Sequence, residues 1–376
     1  MRIGNAFLKY ILFSVICAAG GLLLTLAGLS VGWLIGALVA AMLLSMLSPG
    51  FFQLPEDGSG LPKSILSIGQ LILGIELGMR LDASIMKTFQ NNWLIILVML
   101  VLTVGIAMLA GLVLWKFSDM DKLTSLFALA PGGLSVIPSV ADEVGANTGL
   151  VTLIHTIRVF LVVLSIPIII SFLSPEGGAA SASQESASAV PEFDSVYLLW
   201  TVIFVFVGLL GYYLGKKVRL PAPMLIGSMI SVGLLQISSV SFFGYQPVAV
   251  WPGFMIIIAQ ILIGASIGSR FHKKMFKGLK KTLVVSSLCT IAMIIAVFGC
   301  SYIAAVLTDI SLGTSVLAFT PGGISEMTTT AIAINEDSTF VVAVQVLRVI
   351  AVCLFLPWFV RYLHQHEQKN QPNDGR

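Results

Sequence analysis

Arg158 and Arg348 each stand well inside a long apolar run, and each lies downstream of a Pro-Gly-Gly step. A charge at the centre of a membrane-buried segment costs about 2.5–3.5 kcal/mol on insertion scales. Two such charges at matching positions point to a role. Their partner is an anionic ligand, a carboxylate such as Glu326, or the carbonyls left open where the backbone is broken.

The steps themselves are Pro131-Gly132-Gly133, followed by Ser135, and Pro321-Gly322-Gly323, followed by Ser325, Glu326 and Thr328. Proline removes a donor and glycine weakens a helix, so each step interrupts one. A helix restarting after the break offers free N–H groups and a positive dipole end, which suit an anion. Unwound carbonyls suit a cation such as sodium. Glycines also allow close helix packing without any ligand.

His155 lies one turn before Arg158 on the same helical face, and Gln345 holds that place before Arg348. A proton relay and a packing hydrogen bond both fit the histidine. Glu326 is the deepest carboxylate and the best candidate for carrying a proton or cation; Val136 stands at its counterpart. Glu76, whose counterpart is Ser266, lies near the end of its segment and fits an interfacial position as well. Cys17, Cys289, Cys300 and Cys353 all lie in apolar runs without CxxC spacing. They read as small apolar filler rather than metal ligands or a disulfide framework. No nucleophile, metal or cofactor constellation emerges, so no enzyme and no cofactor are expected.

The elements that position these residues follow from composition. Apolar residues make up 57% of the 376 and charged residues 10%. Soluble domains carry about 25% charged residues, so hydrocarbon must be the solvent for much of this chain. The apolar run from Phe7 to Leu29 is too long for a signal-peptide core and reads as an uncleaved first helix.

One register runs through the sequence. Gln70–Arg80 matches Gln260–Arg270, and the two Pro-Gly-Gly steps, Ser135 and Ser325, Arg158 and Arg348, and Pro167 and Pro357 are each 190 apart. Leu34-Ile35-Gly36 matches Leu225-Ile226-Gly227 at 191. Internal repeats of this kind mark secondary transporter folds. The reading is a first membrane repeat at 1–174, a polar extracytoplasmic linker at 175–194, and a second repeat at 195–376.

Basic residues, which favour the cytoplasmic side, set the orientation. If the Pro-Gly-Gly segment of each unit enters and leaves on one side, only Arg80 and Lys87 fall outside, with Arg158 and Arg348 within the membrane. If every segment crosses, the basic residues divide almost evenly. The expected fold is therefore all-α and polytopic. It has two inverted repeats, each of about five spanning helices plus one Pro-Gly-Gly-interrupted re-entrant segment. The expected location is the cell membrane, multi-pass, with both termini cytoplasmic. An interrupted helix that crosses completely is the alternative.

The basic run Arg270–Lys281 connects two spans and reads as an anchor on anionic membrane lipid, so no nucleic acid is expected as a partner. A homodimer is compatible with this sequence.

The doubled motif, Ala or Thr before Pro-Gly-Gly, then a hydrophobic residue and Ser, then a helix with a central Arg, resembles the AbrB family of membrane proteins over nearly the whole chain. Members carry the labels ammonia monooxygenase and regulator of gene expression. The family is also distantly similar to the cation/proton antiporter and the bile-acid or citrate carrier folds. That similarity implies inverted repeats and interrupted helices. An oxygenase needs clustered His and carboxylate ligands, whereas three of the four His residues here fall in loops or the tail. The DNA-binding regulator that shares the family name is a small soluble protein, and no stretch of this chain resembles it.

The expectation is a secondary transporter of a small solute, coupled to protons or sodium, with the paired arginines leaning towards an anion. The solute and coupling ion would be bound by Pro131, Gly132, Gly133, Ser135, His155, Arg158, Pro321, Gly322, Gly323, Ser325, Glu326, Thr328 and Arg348. The competing class is a membrane sensor that influences gene expression indirectly.

Overall fold

The computed structural model describes residues 2–29, 31–47, 60–81, 84–132, 137, 141, 144–173, 195–243, 247, 249–272 and 278–352. Gly133, Ser135, Cys353, Pro357 and the 175–194 linker lie outside them. The described chain is all-α. Its helices are α1 (Arg2–Leu26), α2 (Gly32–Leu47), α3 (Lys63–Met79), α4 (Ser84–Phe117), α5 (Lys122–Leu129) and α6 (Thr148–Leu173). After the linker come α7 (Ser195–Lys217), α8 (Pro223–Phe243), α9 (Phe254–Gly268), α10 (Lys280–Leu307), α11 (Leu312–Phe319) and α12 (Ile324–Ala333). The last described helix is α13 (Ser338–Val352).

Among the described residues, five stretches are long and apolar enough to cross a membrane, in α1, α4, α6, α7 and α10. α9 runs 15 residues. At 1.5 Å per residue it reaches about 22 Å, less than the roughly 30 Å hydrocarbon core. Two-thirds of the most apolar stretch of α6 is buried within the protein, against a third or less in the other four. The helix carrying His155 and Arg158 is therefore central. α4 turns Trp93, Leu97, Val101, Leu109 and Trp115 outward, the surface that hydrocarbon would solvate.

Glycines set how closely the helices approach. A Cβ on Gly36 would lie 2.2 Å from the Gly20 carbonyl oxygen, and one on Gly227 would lie 2.3 Å from that of Gly211. These α1–α2 and α7–α8 contacts occur at equivalent positions 191 apart. Likewise Gly74 and Gly78 of α3 lie on the Leu225 and Met229 carbonyls of α8, while Gly264 and Gly268 of α9 lie on Leu34 and Leu38 of α2. The four-residue spacing puts both glycines on one face, where any side chain would force the backbones apart.

The packing divides the helices into two groups. α1–α3 join α7–α9 through the α2–α9 and α3–α8 pairs, whereas α4–α6 join α10–α13, with α4 against α10. The groups meet where α9 and α3 touch α12 and α9 touches α6.

Candidate functional site

Both broken segments are built alike. α5 begins at Asp121, whose carboxylate accepts from Thr124 N at 2.8 Å; α11 begins at Ser311, whose hydroxyl accepts from Thr314 N at 3.1 Å. Each ends one residue before the pre-proline position. Ala130 (φ −58°, ψ 132°) and Thr320 (φ −67°, ψ 133°) are extended, since a following proline ring disfavours helical backbone. The chain then doubles back, with Gly132 N donating to Ala130 O and Gly322 N to Thr320 O. Pro131, Gly132, Pro321 and Gly322 are buried.

The ends of each segment meet. Asn147 N donates to Thr124 Oγ1 at 3.0 Å, and Asp337 N donates to Thr314 Oγ1 at 3.1 Å. Asn147 Oδ1 accepts from Leu150 N and Asp337 Oδ1 from Phe340 N, so the same residues start the next helices. Just before them, Gly145 (φ 79°) and Asn335 (φ 59°) take the left-handed conformation that glycine and asparagine tolerate best. Thr124 is thus in contact with Asn147, and Thr314 with Asp337.

The two arginines fix the breaks. Arg158 Nη1 donates to Leu129 O at 2.9 Å and Ala130 O at 2.7 Å. Arg348 Nη1 donates to Phe319 O at 3.2 Å and Thr320 O at 2.8 Å. These are the open carbonyls at a helix C-terminus, the negative end of its dipole, where a cation contributes about 0.3–2 kcal/mol. Both guanidinium groups are essentially fully buried, and each Nε lacks a partner among the described residues. No described contact of either arginine is to a carboxylate. The like charges of the two guanidinium groups lie within electrostatic reach of each other. The arrangement is therefore a clamp on carbonyls, and it occupies much of the oxygen set that a sodium ion at the breaks would need.

The neighbours of the arginines differ between the units. Gln345 serves both sides of its contact: Nε2 donates to Leu317 O at 2.8 Å and Thr320 O at 3.1 Å, while Oε1 accepts from Arg348 Nη2. His155 instead presents one atom to two demands. Its Nε2 lies 2.6 Å from Gly132 O and 2.8 Å from Arg158 Nη2, while Nδ1 is buried without a partner among the described residues.

Glu326 sits in the first turn of α12, and α12 begins from Gly323 without a side-chain cap. Its carboxylate accepts from Ser325 Oγ at 3.2 Å and folds back over Gly323, where a Cβ would stand only 1.8 Å from Oε2. Thr328 Oγ1 donates to Ile324 O at 2.6 Å, so its hydroxyl proton is committed to its own helix. Ser325, Glu326, Thr328, Thr329 and Thr330 are all buried.

One cation was not singled out from the sequence. Arg270 lies two residues beyond the end of α9, the helix that touches α6 and α12. Sequence reasoning placed it in the basic loop. The available signal was its position in the repeated Gly-x-x-x-Gly-x-Arg pattern, shared with Arg80. Arg80 itself pairs with Glu76 at 2.6 Å, one helical turn away. Glu76 is therefore held by an ion pair within its own helix.

The profile of the family described as "Transition state regulatory protein AbrB" matches residues 33–364. "Uncharacterized protein YhjN" of Bacillus subtilis (strain 168) is 42% identical over 98% of this chain and 97% of its own length. The chain belongs to the AbrB family. A second relative, "Putative regulator AbrB" of Escherichia coli (strain K12), is 27% identical over 91% of this chain and 95% of its own length. Membership fits the long apolar helices of the fold, and this AbrB-family chain is a multi-pass membrane protein. In this AbrB protein the clamped breaks, Glu326 and Arg270 come from α5, α6, α9, α11, α12 and α13, so both halves of the sequence and both helix groups contribute.

Proposed function

We propose that this protein is a secondary transporter of a small anionic solute, coupled to protons or sodium. The observation that carries this reading is the pair of interrupted segments. Their ends close on themselves at Thr124–Asn147 and Thr314–Asp337, while each break is clamped by the buried guanidinium group of its own unit. Inverted-repeat transporters build midplane sites from such discontinuous helices.

Closed ends support re-entrant segments over a full crossing. Antiparallel units are supported by Lys281, which pairs at 2.7 Å with Asp119. That contact sets the start of α10 beside the end of α4, its counterpart and packing neighbour. Two inverted repeats, ten spans and cytoplasmic termini follow on this reading. The linker then lies outside and the basic loop faces anionic lipid. Transport would move α4–α6 and α10–α13 against the other group, carrying both breaks together. The buried charge at the breaks is positive and has no carboxylate partner, which favours an anion. The protein is not an enzyme on this reading and needs no cofactor.

The test is a solute screen on reconstituted protein by solid-supported membrane electrophysiology. A substrate gives a current that Arg348→Gln and Glu326→Gln each abolish. If both variants keep the wild-type current, the site assignment is wrong. The regulator named among the relatives favours a second reading, a membrane sensor that acts on gene expression indirectly. A sensor saturates with ligand but gives neither current nor uptake.

A further inference from the structure

The second broken segment is tied at its base by a side chain that the first unit lacks. Glu336 stands between α12 and α13, and its Oε2 accepts from three groups at the start of α11. These are the Ser311 hydroxyl, Thr314 N at 3.1 Å and Thr314 Oγ1 at 2.7 Å. Three donors on one oxygen suit a carboxylate, because bonds to an ionised acceptor are roughly twice as strong as neutral ones. The next residue, Asp337, works in the other direction. Its Oδ1 accepts from Thr339 N at 3.1 Å and Phe340 N at 2.9 Å, at the start of α13. Two consecutive acids thus serve two helix N-termini, the positive ends of the helix dipoles. The Glu336 side chain does so by reaching from the end of the broken segment back to its beginning.

The first unit differs at three linked positions. Ser311, Gly313 and Glu336 stand where Asp121, Leu123 and Ala146 stand 190 residues earlier. In the first unit the carboxylate belongs to the residue that starts the helix, and Asp121 accepts from Thr124 N of its own helix. In the second unit the carboxylate comes from the far end, and the starting residue is a serine that donates to it. Gly313 makes room, since a Cβ there would run into the Glu336 carboxylate. The exchange keeps a carboxylate at the helix N-terminus but moves its attachment across the base of the segment. Ala146 offers no such group.

We infer that Glu336 is a latch, which makes the closing of the second broken segment depend on one charge and has no counterpart in the first. Resting on the transporter reading above, the basic loop is cytoplasmic, α10 runs outward, and the latch acts at the outer face alone. The two segments match at their breaks, where the arginines make equivalent contacts, and differ at their bases. Two otherwise similar halves are thereby given unequal ease of opening.

The test is hydrogen exchange of the purified full chain in detergent, read by peptide mass spectrometry. The regions followed are 312–316 at the start of α11, 338–341 at the start of α13, and 123–129 in α5 as the internal reference. Glu336→Gln keeps the size of the side chain and removes its charge. Exchange at 312–316 and 338–341 rises about tenfold over wild type, the change expected for weakening several bonds to an ionised acceptor, while 123–129 is unchanged. Gly313→Ala leaves Glu336 in the chain but displaces its carboxylate, so it gives the same pattern and serves should the glutamine form not fold. Ser311→Asp combined with Glu336→Ala recreates the first unit's arrangement. It restores protection at 312–316 and leaves 338–341 fast. Wild-type exchange in Glu336→Gln and Gly313→Ala overturns the latch. Protection restored at both ends in the double variant also overturns it, because Glu336 is then a helix cap alone. The measurement needs no solute, so losing the latch leaves the transporter reading in place, and a protein that gives no current leaves the latch in place.

Discussion

His155→Gln should stabilise this protein, which is unusual for a substitution at a fully buried position. The ring nitrogen Nε2 lies 2.6 Å from an acceptor, Gly132 O, and 2.8 Å from a donor, Arg158 Nη2. One neutral imidazole nitrogen either carries a proton or offers a lone pair, so it satisfies one contact and leaves the other unmade. Nδ1 is buried and unpartnered besides. An unmet buried polar group costs about 1–3 kcal/mol. Gln345 shows the remedy at the equivalent position, because an amide supplies a separate donor and acceptor.

Allowing for imperfect placement of the new side chain, His155→Gln should gain about 1 kcal/mol, which for a chain of this size raises Tm by about 2 °C. The reciprocal Gln345→His should lose about 1–3 kcal/mol. The assay is thermal unfolding in detergent by intrinsic fluorescence at a fixed scan rate, since membrane-protein unfolding is commonly irreversible. His155→Ala, which removes both contacts, is the control. If His155→Gln lowers Tm as far as His155→Ala does, the conflict at Nε2 is not real and the reasoning fails.

Arg158→Gln and Arg348→Gln should each destabilise by about 2–4 kcal/mol by uncapping two buried carbonyls. The double variant should lose at least about 0.5 kcal/mol more than the sum, because each single variant already relieves the repulsion between the guanidinium groups; an additive loss would argue against their proximity. Thr314→Val removes the acceptor for Asp337 N and a donor to Glu336. It should cost about 1–2 kcal/mol and raise hydrogen exchange between 314 and 337, and unchanged exchange there would contradict the closed ends. Gly132→Ala should be worse tolerated than Gly322→Ala. The first Cβ meets β-branched Ile137 at 2.4 Å, whereas the second meets flexible Met327 at 2.9 Å. Comparison of expression and Tm checks the order.

Much of this architecture was legible from residue type and spacing. Low charge content forces apolar helices, and the apolar run lengths locate α4, α6, α7 and α10 closely. The Pro-Gly-Gly steps mark where α5 and α11 must stop, because a pre-proline residue leaves the helical region whatever surrounds it. The offset of 190 also relates Arg158 to Arg348, which make matching contacts with carbonyls. These are local or periodic properties, carried by the covalent chain itself.

The partners of the buried charges were decided only by tertiary structure. Sequence position alone left anion, carboxylate and carbonyl equally open for the arginines. What settled their contacts was how far α6 and α13 pack against the ends of α5 and α11. Arg270 reads as one cation among several in a basic loop until Phe271 and Ser269 pin it against two other helices. Which carbonyls a buried charge meets depends on which surfaces fold together, and that is fixed by packing and backbone approach rather than by the pattern along the chain.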